Sequence, residues 1–343
     1  MRERLIGRIG REGPITFEAF LETVLYDEKG GYYKAGKVDR KDYHTAPEIH
    51  PLFGRTIGRY IEGFCDRLGV RSMNVLEPGG ASGRLAAQIL SALTHTAVER
   101  YVIIDKGEGR KEGPLEWVNS FDVLTPMDEG IAFIVANEFF DALPFHRVAN
   151  RHGTLHEIYV GYGQGFFEEM GPLSDSLWAF LDRHPVHLQD GQTLEVTTYG
   201  LPLVRKLSEI VKQACFLVFD YGYHRAEIAA GRFFDGSLLG YRDRQIRHDL
   251  FSDLGHMDIT HHVNFDHLSA MLSDAGWQKE GEMEQWRFLQ RGGIMELLAE
   301  ATPEERLAAK WLINPEGLGS MISVLAFSKG VALPMPGFKK DRP

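Results

Sequence analysis

The sequence has little cysteine and no long apolar run among its 343 residues. Its two cysteines, Cys65 and Cys215, form no Cys-x-x-Cys pair, which excludes zinc held by thiolates and favours a reducing compartment. No apolar stretch approaches the roughly 20 residues that a membrane helix needs. Residues 1–13 are not followed by the apolar segment of a signal peptide. We therefore expect a cytoplasmic protein without membrane insertion.

Basic charge is also in deficit, with 38 Lys and Arg against 48 Asp and Glu and a net charge of -10. This balance argues against a nucleic-acid partner, because a negative field repels phosphate. Ordinary solubility is the simpler explanation of the negative net charge. The alternative is an acidic enzyme that favours a cationic substrate. The length predicts one large domain or two modest ones.

Short apolar runs alternate with helical patterns along the chain. Continuous runs of this kind are typical of strands that are buried on both faces, as in a parallel sheet. The alternation predicts an α/β doubly wound fold. The runs lie at 73–77, 101–105, 131–135, 216–220 and 321–327, and the helical patterns at 52–68, 84–93 and 265–272.

Two segments interrupt this alternation. Residues 144–195 include a predicted hairpin that turns at 150–153. Residues 221–262 have little periodicity and exceed an ordinary loop, which predicts a functional segment or lid. We expect a helical cap at 1–70, a core at 71–330 with insertions at about 144–195 and 221–262, and a loose tail at 331–343.

A glycine-rich loop, Gly79-Gly80-Ala81-Ser82-Gly83, lies between the first predicted strand and a helix. Such a turn lets backbone N–H groups approach a ligand. An acid after the second strand, Asp105, is placed to bind a ribose diol. These features suit dinucleotide and S-adenosylmethionine sites alike, and a plain tight turn is the alternative. No Gly-Lys-Ser/Thr follows, which excludes a Walker A loop.

The third strand is followed directly by Asn137 and the carboxylates Glu138 and Asp141. Ligands of open α/β sheets bind beyond the carboxyl ends of strands. Two carboxylates there could hold a cationic or amine substrate through charge-assisted hydrogen bonds. The alternative is that Asn137 caps the next turn and Asp141 is solvated.

Two further loops carry polar clusters. Residues 42–54 hold Thr45 and Glu48, which could simply cap the helix that follows. Residues 256–265 hold three histidines near Asp258, but adjacent histidines point in different directions and no zinc-ligand spacing supports a site. We therefore predict no metal.

Together these segments resemble the MidA-like S-adenosylmethionine-dependent methyltransferases, a family that includes a mitochondrial complex I assembly factor that methylates arginine. The Asn137–Pro144 octapeptide matches the family signature without a change. The other matching segments are the opening helix at 15–25, the Gly-Tyr-Tyr turn at 30–33, Thr45-Ala46-Pro47-Glu48, Phe53-Gly54, Asp220-Tyr221-Gly222, Asp258, Thr260, Val263 and Phe265, and Gln285, Phe288 and Leu289.

The resemblance covers about residues 13 to 330 and has three departures. The family's middle loop glycine is Ala81 here, whose methyl group disfavours a positive φ. The family's glutamate after the second strand is Asp105, a shorter acid with the same acceptor chemistry. A Ser-Pro pair is replaced by Gly107-Glu108.

The resemblance implies a Rossmann-like class I methyltransferase fold with a helical N-terminal cap and inserted substrate elements. It implies S-adenosyl-L-methionine as the cofactor, protein arginine as the methyl acceptor, and Glu138, Asp141 and Asn137 as catalytic residues. The implied cofactor-binding residues are Glu77, Gly79, Ala81, Gly83, Asp105, Thr45, Pro47 and Glu48. The implied substrate-binding residues are Asp220, Tyr221, Asp258 and His261.

The acceptor is left open at this point. It could be a protein, such as a respiratory-complex subunit, or a small molecule of a biosynthetic pathway. A third hypothesis is an assembly factor that keeps the fold without catalysis, and a NAD enzyme is a weaker fourth. We also consider a homodimer, with no nucleic-acid partner.

Overall fold

A computed structural model of the chain describes residues 1–33, 45–106, 109–127, 129–314 and 317–338. The chain divides into two compact units, each built from three segments. The insert unit consists of Met1–Tyr43, Phe140–Pro202 and Gly222–Met271. The sheet unit consists of His44–Phe139, Leu203–Tyr221 and Leu272–Pro343.

The strands within the described residues are β1 (Ile15–Thr16), β2 (Ser72–Pro78), β3 (Ala97–Ile104), β4 (Arg110–Glu112), β5 (Leu115–Val118), β6 (Ile131–Asn137), β7 (His146–Arg151), β8 (Thr154–Tyr162), β9 (Phe166–Gly171), β10 (Thr193–Val196), β11 (Ala214–Tyr223), β12 (Leu239–Arg242), β13 (Gln245–Arg247), β14 (Asp258–Thr260), β15 (Val263–Asn264), β16 (Gln278–Glu284) and β17 (Ile322–Lys329).

The helices are α1 (Arg2–Glu12), α2 (Phe17–Tyr26), α3 (Ala46–Ile49), α4 (Leu52–Leu68), α5 (Arg84–Leu90), α6 (Asp175–Arg183), α7 (Gly200–Ile210), α8 (Arg225–Ala229), α9 (Phe265–Asp274), α10 (Gln285–Arg291), α11 (Ile294–Glu300), α12 (Pro303–Ile313) and α13 (Leu318–Met321), with a 3₁₀ turn at Phe121–Val123. None of those in the described parts of the chain is long and apolar enough to cross a membrane.

The sheet unit is built on a sheet with the strand order β16-β17-β11-β6-β2-β3-β5-β4. The five strands from β11 to β5 are parallel to one another. Strand β17 is antiparallel to both β11 and β16, and β4 is antiparallel to β5. The apolar runs of β2, β6 and β11 are buried along nearly their whole length. This confirms the predicted α/β fold.

Helix α4 packs closely on α5 because two glycines leave room for it. A Cβ at Gly54 would lie 2.5 Å from the Cβ of Gln88, and one at Gly58 would lie 2.5 Å from the carbonyl oxygen of Ile89. The segment 44–70 therefore belongs to the sheet unit. This differs from the predicted cap, which grouped it with residues 1–43.

The C-terminal segment is packed up to Phe338, although residues 331–343 are predicted to be loose. Met335 and Phe338 are buried in the core of the sheet unit. The Tyr60 hydroxyl donates to the carbonyl oxygen of Pro336 at 3.0 Å. Proline restricts the chain but does not prevent its apolar neighbours from packing, and residues 339–343 lie outside the described residues.

The insert unit contains an antiparallel sheet, with the order β1-β8-β7-β10 and β9 paired to β8. Strands β7 and β8 form the predicted hairpin, and its turn residues His152 and Gly153 both have positive φ, 54° and 82°. Two successive positive φ values are typical of the type I′ turn, whose twist matches that of the strands.

A buried ion cluster lies beneath this hairpin. The His146 ring is 2.6 Å from Glu157 through Nδ1 and 3.3 Å from Glu18 through Nε2. Burial disfavours the protonated ring, but the two carboxylates outweigh it and raise the pKa of His146 to about 9. The ring is therefore protonated at neutral pH and joins α2 to β7 and β8.

The segment 221–262, predicted as a long loop, contains short regular elements. Strand β12 pairs with both β13 and β14, and helix α8 comes before them. Strands of three or four residues are too short for a periodic apolar pattern, which explains why the sequence does not show them.

We predict that Phe338→Ala lowers the free energy of unfolding by about 2–4 kcal/mol, because it removes a ring that is packed beside Tyr60 and Phe288. Urea unfolding of the full chain measures this. Leu333→Ala, at an exposed position of the same segment, is the control and should change stability little. Equal effects would contradict the packing of this segment.

Candidate active site

The carboxyl ends of the parallel strands lie at one edge of the sheet in the sheet unit. Because β2 is followed by β3 on one side and has β6 on the other, the strand order reverses there. Ligands of such sheets bind at this reversal. The residues that follow these strands are the 79–83 loop after β2, Asp105 after β3, Asn119 after β5, Glu138 after β6 and Asp220 near the end of β11.

The glycine loop has no room for side chains at its two ends. Gly79 and Gly83 have φ of 74° and 81°. A Cβ would lie 2.9 Å from the ring of Phe139 at Gly79 and 2.7 Å from the ring of Trp117 at Gly83. The loop is therefore a turn whose backbone a ligand can approach closely.

Ala81 adopts the left-handed conformation that its methyl group disfavours, with φ of 43°. Two hydrogen bonds hold it there. Its N–H donates to Asp105 Oδ2 at 3.0 Å, and Trp117 Nε1 donates to its carbonyl oxygen at 2.9 Å. The loop thus keeps a left-handed backbone at position 81, which a glycine would adopt with less strain.

The sequence pattern did not indicate Trp117. It lies on β5, a strand of four residues that pairs in parallel with β3. The guanidinium of Arg110 lies 3.9 Å from the centroid of the Trp117 ring. In the sequence, Trp117 lies in the four residues Leu115–Val118, which include Glu116 and are too few to predict a strand.

Glu77 is the last residue but one of β2, and its carboxyl group is buried. Burial raises its pKa to about 8, repulsion from Asp105 adds to this, and the hydrogen bond from Tyr101 opposes it. The Tyr101 hydroxyl donates to Glu77 Oε2 at 2.7 Å. A Cβ at Gly80 would lie 2.6 Å from Glu77 Oε1, so a glycine is required there. Glu77 is neutral at pH 7 and supports the loop from beneath.

Glu138 has a strained backbone at the carboxyl end of β6. Its φ is 48°, and its N–H donates to the carbonyl oxygen of Phe219 at 2.8 Å. Its Oε1 accepts from the N–H of Ala46 at 3.4 Å and from Asn137 Nδ2 at 3.2 Å. Strain of this kind is concentrated at functional sites, where the surroundings fix a side chain.

The Thr45–Glu48 segment is anchored close to this edge. Glu48 Oε2 accepts from the N–H of Thr45 at 3.2 Å, as the capping alternative predicts. Gln88 of α5 donates to the carbonyl oxygen of Pro47 at 2.8 Å. The predicted residues 42–44 of this loop, and 107–108 after β3, lie outside the described residues.

The division between the units falls between Phe139 and Phe140, so Asp141 belongs to the insert unit. Asp141 is buried, and its carbonyl oxygen accepts from the N–H of His261 at 3.2 Å. Ring Nδ1 of His261 lies 3.0 Å from the same oxygen, and Nε2 lies 2.9 Å from the Thr197 hydroxyl. Burial lowers the pKa of His261 to about 3, so the ring is neutral.

The residues predicted to bind substrate are mostly buried. Asp258 accepts from the Tyr33 hydroxyl at 2.6 Å, and Asp220 accepts from the N–H of Tyr221 at 2.9 Å. Asp220, Asp258 and His261 are at most 4% exposed, whereas Tyr221 is half-buried. Their contacts are with the protein, and the roles given to them stay predictions.

No group of three or more His, Cys, Asp or Glu side chains in the described ranges is arranged to hold a metal. The sheet unit fits a nucleoside-bearing cofactor instead. The crowded positions at Gly79, Gly80 and Gly83 leave a backbone cradle, and Asp105 lies beside it. A carboxylate can accept several hydrogen bonds, so Asp105 can hold Ala81 and a ribose together.

We predict that Ala81→Gly raises the free energy of unfolding by about 0.5–1 kcal/mol, because relief of the left-handed strain exceeds the added entropy of the unfolded chain. Chemical unfolding measures this. Ala87→Gly, at an exposed position inside α5, is the matched control and should lower stability by about 1 kcal/mol. A loss of stability in both variants would contradict the strain at Ala81.

We also predict that the contribution of Glu77 to stability falls as pH rises from the ordinary glutamate pKa of 4.5 to about 8, because the unfolded chain ionises Glu77 at a lower pH than the folded chain does. Glu77→Gln keeps a Tyr101 partner and cannot ionise. Its melting temperature, measured across this range, should depend less on pH than that of the unsubstituted chain. Parallel curves would show that Glu77 is ionised in the fold.

Comparison with known proteins identifies the family of the chain. Residues 56–283 match the model of a family of S-adenosyl-L-methionine-dependent methyltransferases. The protein arginine methyltransferase NDUFAF7 of Homo sapiens is 23% identical over 95% of this chain and 82% of its own. The Drosophila melanogaster homologue is 23% identical over 96% and 85%.

A solved structure shares the fold over nearly the whole chain. It is a COG1565 superfamily member from Burkholderia thailandensis bound to S-adenosyl-homocysteine, with a TM-score of 0.85 and 26% identity over 99% of this chain and 95% of that chain. The match confirms the Rossmann-like methyltransferase fold and the cofactor that the sequence predicts. The chain belongs to the S-adenosyl-L-methionine-dependent methyltransferases.

Proposed function

We propose that this methyltransferase N-methylates arginine in a protein substrate. The observation that carries the proposal is the Glu138 carboxylate, fixed at the carboxyl end of β6 by two N–H donors and a strained backbone. The relatives from Homo sapiens and Drosophila melanogaster are named protein arginine methyltransferases, which supports the same acceptor at 23% identity.

The sheet unit supplies the cofactor site. The backbone of the 79–83 loop would hold the methionine end, and Asp105 would accept hydrogen bonds from the ribose hydroxyls. S-adenosylmethionine, when bound, supplies a methyl group already activated on a sulfonium. The protein therefore has chiefly to orient the acceptor and exclude water.

In this proposal, Glu138 orients the guanidinium of the acceptor arginine and takes up the proton that it loses. A guanidinium is cationic and weakly nucleophilic, so it must be oriented and must lose a proton as the methyl group is transferred. A carboxylate binds it with directional, charge-assisted hydrogen bonds. Glu138 then receives the proton on its carboxylate, while the Ala46 N–H and Asn137 keep that group in place.

Asp141 is held in place within the insert unit. The carbonyl oxygen of Asp141 lies within hydrogen-bonding distance of both the backbone N–H and ring Nδ1 of His261. We propose that these two hydrogen bonds fix the backbone of the octapeptide at Asp141. A cytoplasmic location, a homodimer and a respiratory-complex subunit as the substrate stay predictions.

We expect Glu138→Gln to lower kcat by about 10²- to 10⁴-fold, because the amide cannot accept the proton. The cofactor dissociation constant, measured by calorimetry, should be unchanged within error. Transfer is measured as radiolabelled methyl incorporated into acceptor protein, with methylarginine identified after hydrolysis. Glu112→Gln, an exposed carboxyl group on β4 of the same unit, is the control.

The outcomes separate the hypotheses. If the radiolabel appears only in small metabolites, the methyl acceptor is a small molecule and not a protein. Cofactor that does not bind at millimolar concentration would favour a non-catalytic assembly factor. Full activity in Glu138→Gln would show that Glu138 does not accept the proton.

A further inference from the structure

Strand β9 forms an edge of the sheet in the insert unit. It pairs with β8 from Phe166 to Gly171, and it has no other strand partner among the described residues. In an antiparallel pair, every second residue directs its N–H and C=O groups away from the partner strand. The outer side of β9 is therefore a row of backbone donors and acceptors that can pair with another strand.

The side chains of this edge are exposed and partly apolar. Phe167 is 42% exposed and Met170 is 47% exposed. The Phe167 ring covers Gly161 of β8, since a Cβ at that glycine would lie 2.6 Å from the ring. The ring therefore has one face on the sheet and leaves apolar surface in water beside the edge. An aromatic face of this kind can stack with a guanidinium.

The charged residues of β9 itself are both acidic, and two arginines lie beside the strand: Arg147 pairs with Glu168, and the Arg2 guanidinium lies 5.3 Å from the centroid of the Phe166 ring. Residues 154–182 contain no Lys or Arg. Their exposed charged residues are Glu168, Glu169, Asp175 and Asp182. Sheet edges are usually protected by lysine, proline or a bulge, and β9 contains neither lysine nor proline. Its charge protects it from acidic strands and attracts basic ones.

The same charge disfavours a second copy of this chain as the occupant. In a centred antiparallel pair of two β9 strands, Glu168 of one copy would face Glu169 of the other. Like charges directly opposite each other destabilise a strand pair. Arg147 contacts Glu168 within the chain, so Glu169 is the carboxylate more available to a partner.

We propose that β9 binds an extended, arginine-bearing segment of the acceptor protein as an added strand. Backbone hydrogen bonds along the edge give affinity, while Glu169 and the Phe167 face select a cationic segment. The inference rests on the proposed function in one respect, namely that the acceptor is a protein. It adds a docking surface apart from the cofactor loop and Glu138.

A labelled peptide of about nine residues that alternates arginine with valine is the probe. Its binding to the full chain is measured by fluorescence anisotropy. We expect Glu169→Lys to weaken binding about tenfold at low ionic strength. Glu209→Lys makes the same charge change at an exposed position of α7 and should bind as the unsubstituted chain does. Equal weakening in the two variants would reduce the effect to net charge and overturn the proposal.

A second probe separates strand addition from attraction between charges. The same peptide methylated at every backbone nitrogen keeps its arginines but cannot donate backbone hydrogen bonds. We expect its binding to be lost, and hydrogen exchange at 166–171 to slow only with the unmethylated peptide. Equal binding of both peptides, or self-association of the chain that the unmethylated peptide disrupts, would overturn the proposal.

The docking surface and the proposed reaction can fail separately. Peptide binding at β9 without methylarginine formation would refute the reaction and leave the surface standing. If methylarginine forms, Glu169→Lys should raise KM for the acceptor protein and leave kcat unchanged. An unchanged KM would refute the docking surface at β9 and leave the proposed reaction standing.

Discussion

Parallel pairing of β2 with β3 and β6 is the constraint on which the proposed cofactor site depends. Parallel strands end at the same edge, so whatever follows them is gathered there however far apart it lies in the chain. The glycine loop, Asp105 and Glu138 come from three separate segments and meet for this reason. The apolar composition of the strands drives that pairing, and the functional groups occupy the positions where the apolar runs end.

The glycine loop shows how a local departure from a family pattern is accommodated. Ala81 carries a methyl group where the family resemblance implies a glycine. Its backbone stays left-handed because its N–H donates to Asp105 and its carbonyl oxygen accepts from Trp117. Glu77 stabilises the loop without a charge, since burial keeps it protonated. Two acids near one loop thus have different tasks, which their surroundings determine.

The sequence was sufficient for the parts of the fold that carry a strong periodic signal. The helix at Leu52–Leu68 and the apolar strands follow directly from their patterns. It could not show β5 or Trp117, because four residues give no period, nor the packing of Phe338, because that depends on partners far away in the chain. The hydrogen bond from Tyr101 to Glu77 likewise joins two strands whose side-chain contact no local pattern encodes.

The buried Glu77 and His146 give the folded chain a different proton content from the unfolded one. Both have pKa values above neutrality in the fold, about 8 and about 9, and their ordinary values are 4.5 and 6.5. Each is therefore protonated in the native protein at neutral pH and largely deprotonated once the chain is open to water. Unfolding releases protons to the buffer, and its heat consequently includes the ionisation enthalpy of whatever buffer receives them.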